Sequence, residues 1–152
     1  MTKIFCASKM NELKMYLIDT NVISEVRKQS RANRGVINFF KVAEEQELRL
    51  FISVITVGEL RRGVNIIRHR GDTLQADRLE RWLNLLLNEY ADNVLDFTAT
   101  EAQVWGQLRV PNYENALDKQ IAATALTYGL SVVTRNENDF IGCGVNIVNP
   151  FE

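Results

Sequence analysis

The chain has 152 residues, 46% of them hydrophobic and 24% charged, with a formal net charge of -1. That length suits one domain with a sizeable core, and the near-zero charge excludes a nucleic-acid binder that works by bulk positive charge. One histidine, His69, rules out any site that needs two histidine ligands, and Cys6 and Cys143 stand at opposite ends with no partner nearby, so neither a zinc site nor a disulfide framework is indicated.

Residues 1–14 hold three lysines and little periodicity, and Ile4-Phe5-Cys6-Ala7 is too short for the apolar region of a signal peptide. This segment reads as a dispensable extension ahead of a domain spanning residues 15–152. The longest uncharged apolar stretch, residues 50–57, falls far below the roughly 20 residues of a membrane span. A cytoplasmic location is therefore expected, with no membrane partner.

Tyr16-Leu17-Ile18 reads as a buried strand that runs straight into Asp19-Thr20-Asn21. A strand ending on an acid puts a carboxylate where open α/β folds place their ligands. The plainer reading is that Thr20 or Asn21 caps the next helix, with Asp19 favoured by the positive end of its dipole. A short helix over residues 22–28 and a polar turn over 30–35 follow. Residues 36–46 then place Val36, Phe39, Phe40 and Ala43 at the spacing of a buried helical face. Residues 48–53 read as a strand entering a covered sheet.

A third helix starts near residues 53–56, with Val57, Leu60, Val64 and Ile67 on one side and Glu59 early in it. Gly71-Asp72 breaks the pattern, and Asp72 with Gln75 suits the start of another helix, striped by Leu79, Leu83, Leu86 and Leu87 beside Trp82. A short strand over 94–97 precedes Thr98-Ala99-Thr100-Glu101, a capping-box pattern that opens a helix through Leu108; Pro111 stops it. An alanine-rich helix over 117–128 ends at Gly129, a residue suited to the left-handed cap position. Residues 130–134 form the next buried strand, 135–140 a polar loop anchored by Phe140, and 145–148 a last strand. The alternation predicts a three-layer α/β/α sandwich with a mainly parallel central sheet.

Four acids fall at strand ends or helix starts that such a fold brings to one sheet edge: Asp19, Glu59, Asp118 and Asp139. Taken singly, each reads as an ordinary solvated cap or loop residue. Clustered, they would raise one another's pKa unless a cation neutralised them. Oxygen-only donors of this kind suit Mg²⁺ or Mn²⁺, which can activate water against a phosphodiester.

Four stretches carry a resemblance: Tyr16-Leu17-Ile18-Asp19-Thr20-Asn21-Val22, the run from Ser53 through Glu59 to Gly63, Asp118-Lys119-Gln120-Ile121-Ala122-Ala123-Thr124-Ala125, and Val132-Val133-Thr134-Arg135-Asn136-Glu137-Asn138-Asp139-Phe140. In that order they resemble the signatures of PIN-domain proteins, in particular the VapC- and FitB-like toxins, over about residues 15–151. The resemblance implies a Mg²⁺- or Mn²⁺-dependent endoribonuclease whose metal and catalytic site is Asp19, Glu59, Asp118 and Asp139. It implies support from the Thr134 hydroxyl and the Asn136 amide. It also implies a homodimer silenced by a cognate antitoxin whose tail covers the acidic groove. Two features depart from the pattern: the extension before Met15 and the extra acid Glu114 ahead of Asp118.

Arg61 and Arg62 trail Glu59 and are candidate phosphate contacts, against the alternatives of a solvated helix face or pairing with an antitoxin's acids. Trp82 and Trp105 could stack a base, although packing is the simpler reading. Two other functions compete. Asp19-Thr20-Asn21-Val22 superficially resembles the nucleophile loop of haloacid-dehalogenase-type phosphatases, but that chemistry wants a second aspartate where Asn21 stands. A catalytically silent PIN-like binding module is the other.

Overall fold

The computed structural model describes residues 15–152, so the expected extension over residues 1–14 lies outside them. Five parallel strands, β1 (Met15–Ile18), β2 (Arg49–Ser53), β3 (Val94–Leu95), β4 (Ser131–Val133) and β5 (Ile147–Val148), form one sheet in the order β3-β2-β1-β4-β5. Six helices join them: α1 (Thr20–Val26), α2 (Arg34–Glu45), α3 (Val54–His69), α4 (Thr73–Glu89), α5 (Ala99–Leu108) and α6 (Ala116–Tyr128). Parallel strands need such crossovers, and helices on both faces explain why the strands are apolar on both sides.

Strand alternation divides the interior into two cores. Ile18, Ile52 and Val133 face Val22 and Ile23 of α1, Val36 of α2, Leu60 and Val64 of α3, and Leu83 and Leu86 of α4. The preceding residue of each strand, Leu17, Phe51 and Val132, faces Ile121, Ala122 and Ala125 of α6 together with Phe140. This is the expected three-layer sandwich. Among the described residues no helix is long and apolar enough to cross a membrane.

Local chemistry sets the helix boundaries. Asn33 Oδ1 accepts from Gly35 N (2.9 Å) at the start of α2, Ser53 Oγ from Ile55 N (3.0 Å) at α3, and Asp72 Oδ1 from Gln75 N (3.2 Å) at α4. The Thr98–Glu101 capping box is formed at α5, and Gly129 ends α6 in the left-handed conformation (φ 68°). One expectation needs correction: neither Thr20 nor Asn21 caps α1. Asp19 does, its Oδ1 accepting from Thr20 N at 2.8 Å.

Some strands are shorter than their apolar runs. Residues 94–97 pair only over Val94 and Leu95, because β3 meets just the end of β2. Within the expected loop at 135–140, residues Glu137–Phe140 wind into a 3₁₀ turn whose buried Phe140 joins the second core.

The carboxyl-terminal residues are fastened to the start of α2. Asn33 Nδ2 donates to the Glu152 carbonyl (2.9 Å), Glu152 N donates to Asn33 Oδ1 (3.1 Å), and the Arg135 guanidinium lies 4.8 Å from the centre of the Phe151 ring. Gly35 makes this approach possible, since a Cβ there would meet the Pro150 carbonyl oxygen at 1.9 Å. Gly35→Ala is expected to cost about 1–3 kcal/mol through this overpacking. The checks are a lower Tm and faster removal of the last residues by carboxypeptidase; a variant unchanged in both would show that the tail yields freely.

Candidate active site

The site is built outward from β1. As the strand ends, Asp19 N still donates to Val133 O (2.9 Å), so the backbone of Asp19 is held by β4 while its carboxylate turns to the sheet's carboxyl edge. The side chain is 3% exposed. Besides capping α1 through Oδ1, it accepts at Oδ2 from the Thr134 hydroxyl (2.8 Å) and from Asn21 Nδ2 (3.1 Å). Burial raises the Asp19 pKa above the usual carboxylate value; the hydrogen bonds from Thr134, Thr20 and Asn21 oppose that shift, and the Asp139 charge adds to it.

Thr134 is itself fixed. Its fully buried hydroxyl accepts from Asn136 N (3.0 Å) and faces Asn21 Nδ2 (3.3 Å), while Asn21 Oδ1 accepts from Arg135 N (3.1 Å). Asn136 thus reaches this network through its backbone N–H, and the side-chain amide bonded to Asp19 and Thr134 belongs to Asn21.

Glu59 enters from α3. Its Oε1 accepts from the Thr20 hydroxyl at 2.8 Å, and the Thr20 and Thr56 hydroxyls lie 3.1 Å apart. Burial raises the Glu59 pKa, Thr20 moderates the shift, and the Asp19 charge adds to it. Asp118 stands in the first turn of α6 and is the most perturbed of the four acids: burial first, then the charges of Asp19, Asp139 and Glu59, push its pKa up to about 7. Asp139 lies in the 3₁₀ turn that follows β4. The four acids from separate parts of the sequence therefore share one electrostatic environment.

The start of α6 is held by its own set of contacts. Asn115 adopts a left-handed conformation (φ 57°), and the buried Lys119 donates through Nζ to the Asn112 carbonyl. Trp105 Nε1 donates to Ala116 O (3.0 Å), with the Arg109 guanidinium 4.6 Å from the centre of its ring. Trp105 is thus an anchor for the helix that carries Asp118. Glu114 is exposed on the preceding loop.

The candidate phosphate contacts are elsewhere occupied or open. Arg61 Nη1 pairs with Glu80 Oε1 at 2.6 Å and Arg68 bridges Asp77 and Glu80, tying α3 to α4; Arg62 is exposed. Among the described residues no ion pair involves any of the four acids. Nor do any three His, Cys, Asp or Glu side chains there form a ready-made metal cage. The donor chemistry nevertheless fits a hard divalent cation: every donor is an oxygen, and an acid whose pKa is pushed up to about 7 by burial and then by like charges is one a cation would relieve.

Sequence reasoning missed Thr20, Asn21 and Thr56 as supports. The first two were signalled by polar residues directly after a buried strand; Thr56 carried no signal, and its complete burial is visible only in the fold.

The PIN domain pattern matches residues 16–141. The chain is 36% identical to the plasmid stability protein StbB of Pseudomonas syringae pv. tomato, over 91% of this chain and 99% of that one. It is 32% identical to the toxin FitB of Neisseria gonorrhoeae (90% and 99%) and to the VapC ribonuclease Y4jK of Sinorhizobium fredii (91% and 99%). Among solved structures it resembles FitAcB from Neisseria gonorrhoeae, with a TM-score of 0.71 and 32% identity over 90% of this chain and 98% of that one. With the fold, the ordered acids and these relatives in agreement, the chain belongs to the PIN-domain family.

Proposed function

We propose that this protein is an endoribonuclease, the toxin of a toxin–antitoxin pair, that hydrolyses RNA phosphodiester bonds with Mg²⁺ or Mn²⁺. The observation that carries the reading is the convergence of four carboxylates that, among the described residues, no ion pair neutralises, with Asp118 pushed up to about 7. Relatives named as a VapC ribonuclease and a toxin support the activity and the role.

Asp19, Glu59, Asp118 and Asp139 would hold the cation, which when bound supplies a more acidic water and neutralises charge on the phosphate. The chain's own residues prepare that arrangement. Thr134 and Asn21 fix Asp19 Oδ2, and Thr20 fixes Glu59 Oε1, so two of the four carboxylates are oriented by the protein before anything binds. Asn136 supports the site through its backbone N–H on Thr134. With its pKa pushed up to about 7 by burial and neighbouring carboxylates, Asp118 is only partly ionised at neutral pH, and a bound cation would favour its ionised form. Arg62 remains available to meet a phosphate, whereas Arg61 would first have to leave Glu80.

A homodimer and a cognate antitoxin belong to the same proposal. Exposed Leu74, Leu85, Val110 and Ile141 support it by leaving apolar surface for other chains to cover. A phosphatase of the haloacid dehalogenase type finds no support, because the Asn21 amide is committed to Asp19 and Thr134 and offers no second carboxylate.

Purified antitoxin-free protein should cut structured RNA with Mg²⁺ or Mn²⁺, and both a chelator and Asp19→Asn should abolish cleavage. Thr134→Val should lower activity about 10–100-fold in a folded protein, as loss of a ligand-orienting partner does. Cleavage that survives Asp19→Asn would sink the assignment, and no cleavage of any RNA with either metal would favour a silent binding module.

The Asp118 carboxyl also sets a pH dependence. The unfolded chain loses this proton near pH 3.8 and the folded chain near 7, so between those values the folded state binds more protons and stability falls as pH rises. Asp118→Asn should therefore raise the Tm of the metal-free protein above about pH 7 and change it little near pH 4. Parallel Tm–pH curves for the variant and the parent would contradict the assignment.

A further inference from the structure

Beside the acids, a groove runs between α1 and the α3–α4 hairpin, and the contacts that fix the carboxylates leave it open. It encloses about 280 Å³, near the lower end of cavities that take small ligands. Thr20 and Glu59, two residues of the acidic site, line it together with the apolar Leu79 and Trp82, and the exposed Arg27 stands on its rim. Trp82 is half-buried and Arg27 is exposed, and none of the ion pairs among the described residues engages Arg27.

We infer that this groove is a base subsite, which takes one nucleobase of a single-stranded RNA whose adjoining phosphate lies on the acids. The inference rests on the ribonuclease reading above. A base is flat, apolar on its faces and polar at its edge, and the groove offers an indole among aliphatic side chains, with the Thr20 and Ser24 hydroxyls, the Gln75 amide and the Glu59 carboxylate also lining it. Stacking on an aromatic side chain tolerates every base, because every base has a π-face. The volume admits one ring system rather than a run of nucleotides. Arg27 on the rim suits the next phosphate along, since guanidinium groups meet phosphate oxygens in a paired fork. Continuity favours RNA over a protein side chain: the groove and the proposed reaction share Glu59 and Thr20, so a strand lying on the acids has its neighbouring base at the groove's mouth.

The groove can be blocked without removing anything from it. Gly63 lines it on α3, and a Cβ added there meets nothing within 4 Å, so Gly63→Leu fills the cavity while improving helix propensity. Gly106 on α5 is equally open and is not part of the groove, which makes Gly106→Leu the matched control. Trp82→Leu keeps apolar bulk and removes the aromatic face.

Binding is measured by fluorescence anisotropy with labelled oligo-U and oligo-A of about a dozen nucleotides and with a ribose–phosphate oligomer of that length lacking bases. The full chain carries Asp19→Asn with Mg²⁺ present, so that RNA stays intact, and cleavage is assayed separately with the unaltered chain. Gly63→Leu and Trp82→Leu should each weaken both base-bearing oligomers about tenfold and leave the baseless oligomer unchanged. Gly106→Leu should match the parent throughout. If the unaltered chain cuts RNA while both groove variants bind it like the parent, the base subsite is wrong and the ribonuclease reading stands; the groove then falls to a protein segment. If the variants behave as expected while no RNA is cut, the subsite stands and that reading falls. Absence of binding by any oligomer overturns the subsite.

Discussion

Like-charge repulsion at the carboxyl edge of the sheet is the constraint around which the rest of this molecule is arranged. Carboxylates left to themselves would move apart into water, yet the backbone gives them no such freedom. Asp19 is tied to β4 through its own N–H while its oxygens accept from Thr20, Thr134 and Asn21. Glu59 is held by Thr20, and Asp118 rides on a helix start anchored by Trp105 and Lys119. The residual mismatch shows in the raised pKa values of Asp19 and Glu59 and most at Asp118, where burial and then the neighbouring charges push it up to about 7. A fold selected for stability alone would not leave these charges facing each other; this one spends hydrogen bonds to keep them there, which is the usual signature of a site that awaits a positive partner.

The parallel sheet makes that arrangement affordable in geometric terms. Because β1 lies at the centre, with β2 on one side and β4 on the other, the chain segments leaving their carboxyl ends emerge side by side. Alternation along just two residues of each strand serves both faces: Leu17 and Ile18, Phe51 and Ile52, Val132 and Val133 point into different cores. Each of these strands is therefore locked from above and below, and the polar residue that follows it inherits a fixed position.

Much of this was legible in the sequence, for physical reasons that can be named. A buried strand cannot turn suddenly polar without cause, and so Asp19 declared itself. The Thr98–Glu101 box, the Asp72 start and the Gly129 stop were readable because caps use short-range bonds within a few residues. What escaped were partnerships across the fold. Thr134 and Asn21 are 113 residues apart, so nothing local could reveal that the amide meeting the Thr134 hydroxyl would be that of Asn21 rather than Asn136. Arg61 looked like a phosphate handle because its partner, Glu80, sits on another helix. Asp19 acting as both helix cap and site residue was hidden because Thr20 and Asn21, beside it, are equally good capping types.

The distance in sequence between Asp19 and Thr134, 115 residues, carries a consequence for how such a protein is made. Synthesis lays down Asp19 and Glu59 early, Asp118 late and the β4 strand that holds Asp19 later still. An incomplete chain ending before residue 131 has neither the strand that grips the first acid nor the turn that bears the last. Truncated or partly translated products are therefore without the assembled site, and whatever chemistry it performs begins only when nearly the whole chain is present and folded.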